Sequence, residues 1–284
     1  METKLNYKRT FLIGLAFLSI CSFWQMYDNI IPLILQNTYH LGETMTGAVM
    51  ALDNVLAIFL LPVFGALSDK VHTKLGRRMP FIVAGTILAV IFMMLLPMID
   101  NAEKARWNTG ESFSNQVIFL AVLFFTLVSM GLYRSPAVAL MPDVTPNHLR
   151  SRANAVINLM GAVGGVYALI MIKVLVGKGE TPDYLPLFAS IAAVMAIAVG
   201  ILVITIRENK LREEVEKAEA ANAGTIEEKA MAEGVEAAGE IEAVGDTGEI
   251  KSFDGKKQTG KTEGTKGMPK EVKRSMYFML ASIF

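Results

Sequence analysis

Residues Gly65 to Pro80 read GALSDKVHTKLGRRMP, with a long apolar run leading in from Met45 to Leu67 and another leaving from Pro80 to Met98. A bilayer core of ~30 Å takes about 20 apolar residues in a helix. Both runs are therefore long enough to span, and the polar, basic interval between them turns the chain at a membrane surface. Working outward, four more runs qualify: Phe11–Leu35, Val117–Leu140, Ala153–Val176 and Leu187–Ile206. All six are apolar on every side and do not alternate with period two, which excludes a β-barrel. They also exclude an ordinary soluble domain, whose helices bury a single stripe. The sequence reads as an all-α membrane protein with a six-helix transmembrane bundle over residues 1–206.

Lys4, Lys8 and Arg9 precede the first run in the manner of a signal peptide. The run is too long for one, however, and no small-residue cleavage site follows it, so it is read as a retained helix. Basic residues in short loops set the orientation. With the N-terminus in the cytoplasm, Lys4, Lys8, Arg9, Lys70, Lys74, Arg77, Arg78, Arg150 and Arg152 lie inside, against Lys104, Arg106 and Lys178 outside. That asymmetry places the N-terminus inside, and six crossings return the chain to the same side.

The chain of 284 residues holds 27 basic and 27 acidic side chains, but 29 of the 69 residues from 207 to 275 are charged against 25 of the first 206. Residues 207–275 are expected to form a charged cytoplasmic linker, largely disordered beyond Gly224. Arg207–Ala221 has the composition to extend the sixth span as a charged, solvated helix. Met276–Phe284 starts a further apolar run of nine residues, too few to span. The expectation is the N-terminal half of a twelve-helix protein, truncated at the start of helix 7.

Gly255-Lys-Lys-Gln-Thr-Gly260-Lys261-Thr262 fits the phosphate-loop pattern by letter. That chemistry needs a buried strand before it and a helix after it. Glu249–Asp254 is no buried strand, and Gly264, Gly267 and Pro269 oppose a helix, so nucleotide binding is rejected. Cys21 is the single cysteine, and His40, His72 and His148 show no ligand spacing. No metal, cofactor or nucleic acid is implied, and no nucleophile–base pair suggests an enzyme.

Four charges fall inside the apolar runs: Asp28, Asp53, Arg134 and Lys173. Each costs roughly 2.5–3.5 kcal/mol near a helix centre. Lys173 is close enough to its helix end to snorkel. Asp28, Asp53 and Arg134 lie deeper and are candidates for a solute pathway, the alternative being a structural ion pair or polar helix contact. Trp24, Tyr27 and Asp28 share one face of helix 1, with Gln25 and Asn29 on the adjacent face. An aromatic ring beside carboxylate and amide groups suits a sugar, with its apolar C–H faces and rim of hydroxyls. An interfacial aromatic belt is the competing reading. Asp53-Asn54 repeats the acid–amide pair on helix 2, and Asn154 and Asn158 mark one face of helix 5. Gly161 and Gly165 permit a close helix contact. Pro32, Pro62, Pro97 and Pro136 are expected to interrupt their helices or to form static kinks.

At the cytoplasmic rim, Gly65, Asp69, Arg77 and Arg78 after helix 2, and Asp143, Arg150 and Arg152 after helix 4, form two acid–base sets able to latch one conformation of a carrier. The order Gly65-x-x-x-Asp69-Lys70 … Gly76-Arg77-Arg78 resembles the loop 2–3 motif of the major facilitator superfamily. The longer spacing, followed by Met79-Pro80-Phe81, is similar to the sucrose-transporter-like branch, related to the glycoside–pentoside–hexuronide symporters. Ser135-Pro136 through Pro142-Asp143, with Arg150–Asn154, is also similar to that branch. The resemblance covers about residues 11–206. It implies alternating access by two six-helix bundles and proton-coupled uptake of sucrose, maltose or related glycosides.

Four positions depart from that pattern. The helix 4 carboxylate of plant sucrose carriers falls on Leu127, and the arginine after the proline falls on Val138. The helix 2 carboxylates of melibiose-type sodium symporters fall on Ala57 and Leu61. Asp28 or Asp53 is then the candidate for the proton, with Arg134 tuning its surroundings. The expected function is secondary active transport of a di- or oligosaccharide with a coupling cation, expected to be a proton, by a multi-pass protein of the cell membrane that needs its C-terminal half. A carrier for a different small solute, or a non-transporting receptor or assembly partner, are the alternatives.

Overall fold

A computed structural model describes residues 5–71, 73, 75–107, 116–177, 179, 182–217 and 219–220. All of them lie in the first of two compact units, Met1–Lys229. The phosphate-loop match at 255–262, the apolar run at 276–284, most of the expected linker, and His72, Lys74 and Lys178 lie outside the described residues.

Seven helices run in order up to residue 205: α1 Tyr7–Asn37, α2 Glu43–Met50, α3 Leu52–Lys70, α4 Met79–Trp107, α5 Gln116–Asp143, α6 Arg150–Leu175 and α7 Leu185–Thr205. A 3-10 turn, Asn147–Leu149, leads into α6. Helices α2 and α3 form one span, Glu43–Lys70, and together with the other five give six helices long and apolar enough to cross a membrane. Apart from an isolated bridge between Thr73 and Gly76, the described residues contain no strand.

Each helix is longer than its apolar run. The extra turns carry the polar residues that reach the two surfaces, as in α4, which continues beyond Met98 through Asp100, Glu103 and Lys104. Pro32, Pro62, Pro97 and Pro136 sit inside continuous helices. The expected interruptions do not occur, because packing against neighbouring helices tolerates the lost N–H. Lys173 is exposed in the last turn of α6, where its stem reaches the surface.

Helix α1 is the spine. Ile13, Ile20, Phe23, Met26, Tyr27, Ile30 and Ile34 are nearly inaccessible, and α6, α7 and α5 pack around it. Large apolar side chains on α3 and α6, such as Ile58, Phe59, Val166 and Val174, remain exposed outside the packed core. Contact between α1 and α6 is set by Gly164, where a Cβ would strike the Leu18 carbonyl. Ser22 Oγ donates across the same contact to the Gly164 carbonyl at 2.9 Å. Gly161 faces Cys21, and at Gly165 a Cβ would meet only an ordinary contact with Gln25. The tightest approach thus falls one residue before the second glycine of the expected pair. Tyr133 of α5 fastens to α1 mid-bundle, its hydroxyl 2.6 Å from Ser19 Oγ and donating to the Ala16 carbonyl at 3.0 Å.

Beyond α7 the chain leaves helical geometry at Ile206–Arg207 and resumes as a helix over residues 208–217. Glu208, Leu211 and Val215 are its buried positions, so one stripe packs on the bundle. The segment is thus a separate helix rather than a continuation of the sixth span, and outside that stripe most of its side chains are exposed. Arg9 Nη1 lies 2.9 Å from Glu214 Oε2, which puts the start of α1 and this segment at the same end of the bundle.

Candidate functional site

The acid–base sets of the two loops converge at that end. Arg78, 7% exposed in its side chain, donates from Nη2 to Asp69 Oδ1 at 2.6 Å and from Nε to Asp143 Oδ2 at 3.0 Å. Its Nη1 donates to Ser68 Oγ at 2.6 Å and to the Gly65 carbonyl at 3.3 Å. Arg77 Nη2 meets Asp143 Oδ2 at 3.0 Å, while its Nη1 lies 3.9 Å from Asp69. A guanidinium presents five donors in a fixed fork, and Arg78 uses that fork to join the end of α3 to the end of α5. Arg150 is not in this cluster. It caps α5, donating to the Pro142 and Thr145 carbonyls at 2.9 and 3.2 Å. Arg152 is exposed on α6.

Glu208, which sequence reasoning did not single out, joins this end. Its carboxylate accepts from the backbone N–H groups of Arg77 at 2.8 Å, Arg78 at 3.0 Å and Met79 at 3.1 Å. Those donors head α4, where the helix dipole favours an anion. Glu208 is 1% exposed. Gly76 admits it: φ there is +129°, and a Cβ would overlap the carboxylate. The only available signal was an acid directly after the last span.

A second group lies within the membrane. Trp24, Asp53, Leu56, Ala57, Leu60, Leu61, Leu127, Gly131 and Arg134 line a cleft of about 20 Å³ between α1, α3 and α5. Arg134 stands over the Trp24 ring, 5.5 Å from its centroid, at cation–π distance. Trp24 packs edge-on against Phe23 and Tyr27, with centroids 5.4 Å apart in each case. Trp24 Nε1, Asp53 Oδ1 and the Tyr27 hydroxyl are buried with no protein partner. Such groups cost free energy until something bonds them. Ala57, Leu61 and Leu127, three positions where the sequence departs from the ion-coupled families, all line this cleft. Asp53 stands one helical turn before Ala57.

The other candidates are distributed differently. Asp28 and Asn29 are exposed on α1, Asn29 donating to the Gln25 carbonyl at 2.7 Å. Asn54 on α3 and Asn154 and Asn158 on α6 are also exposed and do not line the cleft.

At the opposite end, Asp100 is fully buried. It accepts from Thr38 Oγ1 at 2.6 Å and pairs with Lys104 Nζ at 2.6 Å. Lys104 also donates to the Pro182 carbonyl at 2.6 Å and lies over the Tyr184 ring. This staple joins α1, α4 and the entry to α7. Burial, helped by the nearby Asp100 and Glu103 charges, pushes the Tyr39 phenol well above its ordinary range, and burial and Asp100 raise Tyr184.

Six packed membrane-spanning helices, with an ionic cluster at one surface and unpartnered polar groups in a mid-helix cleft, define a multi-pass membrane protein built like one bundle of a solute carrier. A sequence model of the Major Facilitator Superfamily matches residues 7–264, and the chain belongs to that superfamily. Sucrose transport protein SUC4 of Arabidopsis thaliana is 35% identical over 116 residues, 38% of this chain and 22% of its own length. Sucrose transport protein SUT3 of Oryza sativa subsp. japonica is 26% identical over 137 residues, 45% of this chain and 27% of its own length. The matched segment thus spans about a quarter of those relatives.

Proposed function

We propose that this bundle forms one wall of a secondary active carrier for a di- or oligosaccharide, working by alternating access at the cell membrane. The observation that carries the reading is the cleft. An indole face for sugar C–H groups, an indole N–H donor and a carboxylate acceptor converge there, both polar groups buried without a protein partner. A sugar hydroxyl satisfies either one. Arg134 lines the same cleft as Asp53, and a cation there lessens the cost of holding the carboxylate charged in the membrane until a proton neutralises it. Asp53 carries the coupling proton, in place of the carboxylates that Leu127, Ala57 and Leu61 lack. The matched sucrose transport proteins support the sugar class.

The exposed polar residues Asp28, Asn29, Asn154 and Asn158 face away from the packed core. They belong against a second bundle, because lipid would charge each its full desolvation penalty. At the cytoplasmic rim, the pairs of Arg77 and Arg78 with Asp69 and Asp143 hold one conformation and part in the other.

The leucines lining the cleft favour a second reading within transport, a glycoside with an apolar aglycone. Vesicles carrying the complete carrier, given labelled sucrose and maltose with and without an inward proton gradient, test both. Saturable, gradient-stimulated uptake is expected, reduced at least tenfold by Asp53→Asn. Better competition by aryl glucosides than by sucrose selects the second reading. Uptake that ignores the gradient and survives Asp53→Asn removes Asp53 from the proton role.

A further inference from the structure

A larger cavity, about 430 Å³, lies at the cytoplasmic end between the first turns of α1 and the junction of α7 with the helix at 208–217. Its rim carries Lys8, Arg9, Arg207 and Lys210, and its floor is Leu12, Ile206 and Leu211. One carboxylate, Glu214, also lines it and is spent on Arg9 at 2.9 Å. Lys8, Arg207 and Lys210 have no carboxylate partner among the described residues. Three uncompensated cations around an apolar floor form a receptor for an anion with an apolar tail. The cavity is in the size range of small-molecule sites. Tyr7, Phe11 and Ile204, next in sequence to the lining residues Lys8, Leu12 and Thr205, are 62%, 52% and 84% exposed.

We propose that this cavity binds the phosphodiester headgroup of an anionic phospholipid from the cytoplasmic leaflet, with the acyl chains lying over Phe11 and Ile204. A free phosphate has the same charge but gains nothing from the apolar flank. Basic pockets at the cytoplasmic ends of helices bind such headgroups by charge. The first turn of α1 adds the positive end of a 31-residue helix. The bound lipid ties α1 to the surface helix. That helix also carries Glu208, the anion capping α4, so lipid composition acts on the same end of the bundle as the arginine cluster.

The test places the full chain in phosphatidylcholine nanodiscs with and without 20–30% phosphatidylglycerol, in one arm with millimolar inorganic phosphate added instead of the anionic lipid. Lipid retention is read by native mass spectrometry, together with the thermal unfolding midpoint. The expected result is preferential retention of phosphatidylglycerol with a raised midpoint, and no comparable rise with phosphate. Each cation removed should cut the preference about fivefold. Arg207→Gln alone therefore lowers it about fivefold, and Lys8→Gln with Arg207→Gln and Lys210→Gln abolishes it. Lys217→Gln, a control on the same helix outside the cavity, leaves it within twofold. Should the triple variant fail to fold, the single variant's ratio decides. Equal retention of both lipids by the unaltered chain, or a preference untouched by Arg207→Gln, overturns the proposal. Stabilisation by phosphate that matches the lipid and is lost in Arg207→Gln reassigns the cavity to a soluble anion and overturns the lipid site.

Discussion

Glu208 and Gly76 are two halves of one device, a buried carboxylate and the backbone gap that admits it. Three N–H groups of α4 lose their acceptor in Glu208→Ala. Hydrogen bonds to a charged group are worth about 1.5–3 kcal/mol, and loss of a helix cap costs roughly 1. A destabilisation of about 2 kcal/mol is expected, read as a lower thermal midpoint in detergent. Gly76→Ala meets the same carboxylate and also a φ of +129°, so it should cost at least as much. The two are coupled: with Glu208→Ala already present, the new Cβ no longer strikes a side chain, and Gly76→Ala should cost less. Additive losses in the double variant would show that the carboxylate and the glycine act separately. By contrast Glu214→Gln removes a solvent-exposed ion pair with Arg9, and less than 1 kcal/mol is expected.

At the scale of elements, the close approach of α1 and α6 is a single-residue property. Gly164→Leu puts a branched side chain where even a Cβ strikes the Leu18 carbonyl. The helices must separate, at a cost of at least the 1–3 kcal/mol usual for overpacking, whereas Gly165→Ala is tolerated. The expected readout is loss of a sharp melting transition in the first variant and a normal one in the second. The outer staple gives a pH signature. With the Tyr39 phenol raised in the folded state, the unfolded chain ionises first as pH passes about 10. The folded state then holds the extra proton, so stability is full below that pH and falls as pH climbs above it. Tyr39→Phe should flatten the decline in melting midpoint between pH 9.5 and 11. It should cost little at neutral pH, because the Tyr39 hydroxyl is buried without a partner.

The six spans were legible because bilayer thickness dictates run length, and Asp69, Arg77, Arg78 and Asp143 because their order in two loops is a motif. Glu208 lies 131 residues from Arg77 with no pattern joining them, so its capping role was invisible. Asp100 sat just past the apolar run, where a surface charge is unremarkable, and only the longer α4 buries it. In the cleft, Trp24, Asp53 and Arg134 were singled out on separate helices as aromatic and intramembrane charge. Their convergence depends on the packing of α1, α3 and α5, which periodicity does not specify.

For the molecule as a whole, the decisive magnitude is the size of the cleft. A site for a drug-sized or disaccharide ligand occupies roughly 300–1,000 Å³, and this bundle offers about 20 Å³, open on one side. On the proposed reading, one wall positions a sugar ring but cannot enclose it. Alternating access also requires two bundles to rock about a site near the midplane, and the described residues form one bundle. Residues 1–284 expressed alone should therefore insert with both termini of the six-span bundle on the cytoplasmic side, shown by labelling of cysteines placed at Lys8 and Lys210 only from that side. They should take up no labelled sucrose or maltose above background. Exposed Asp28, Asn29 and Asn158 should drive the lone bundle to pair with itself, seen as cross-linking of a cysteine at Asn158 between copies. Addition of a separately expressed six-helix partner bundle should restore uptake and suppress that cross-link. Saturable, gradient-driven uptake by residues 1–284 alone would mean that two copies close the pathway between them, and that one wall's worth of chemistry, Trp24, Asp53 and Arg134 twice over, is enough.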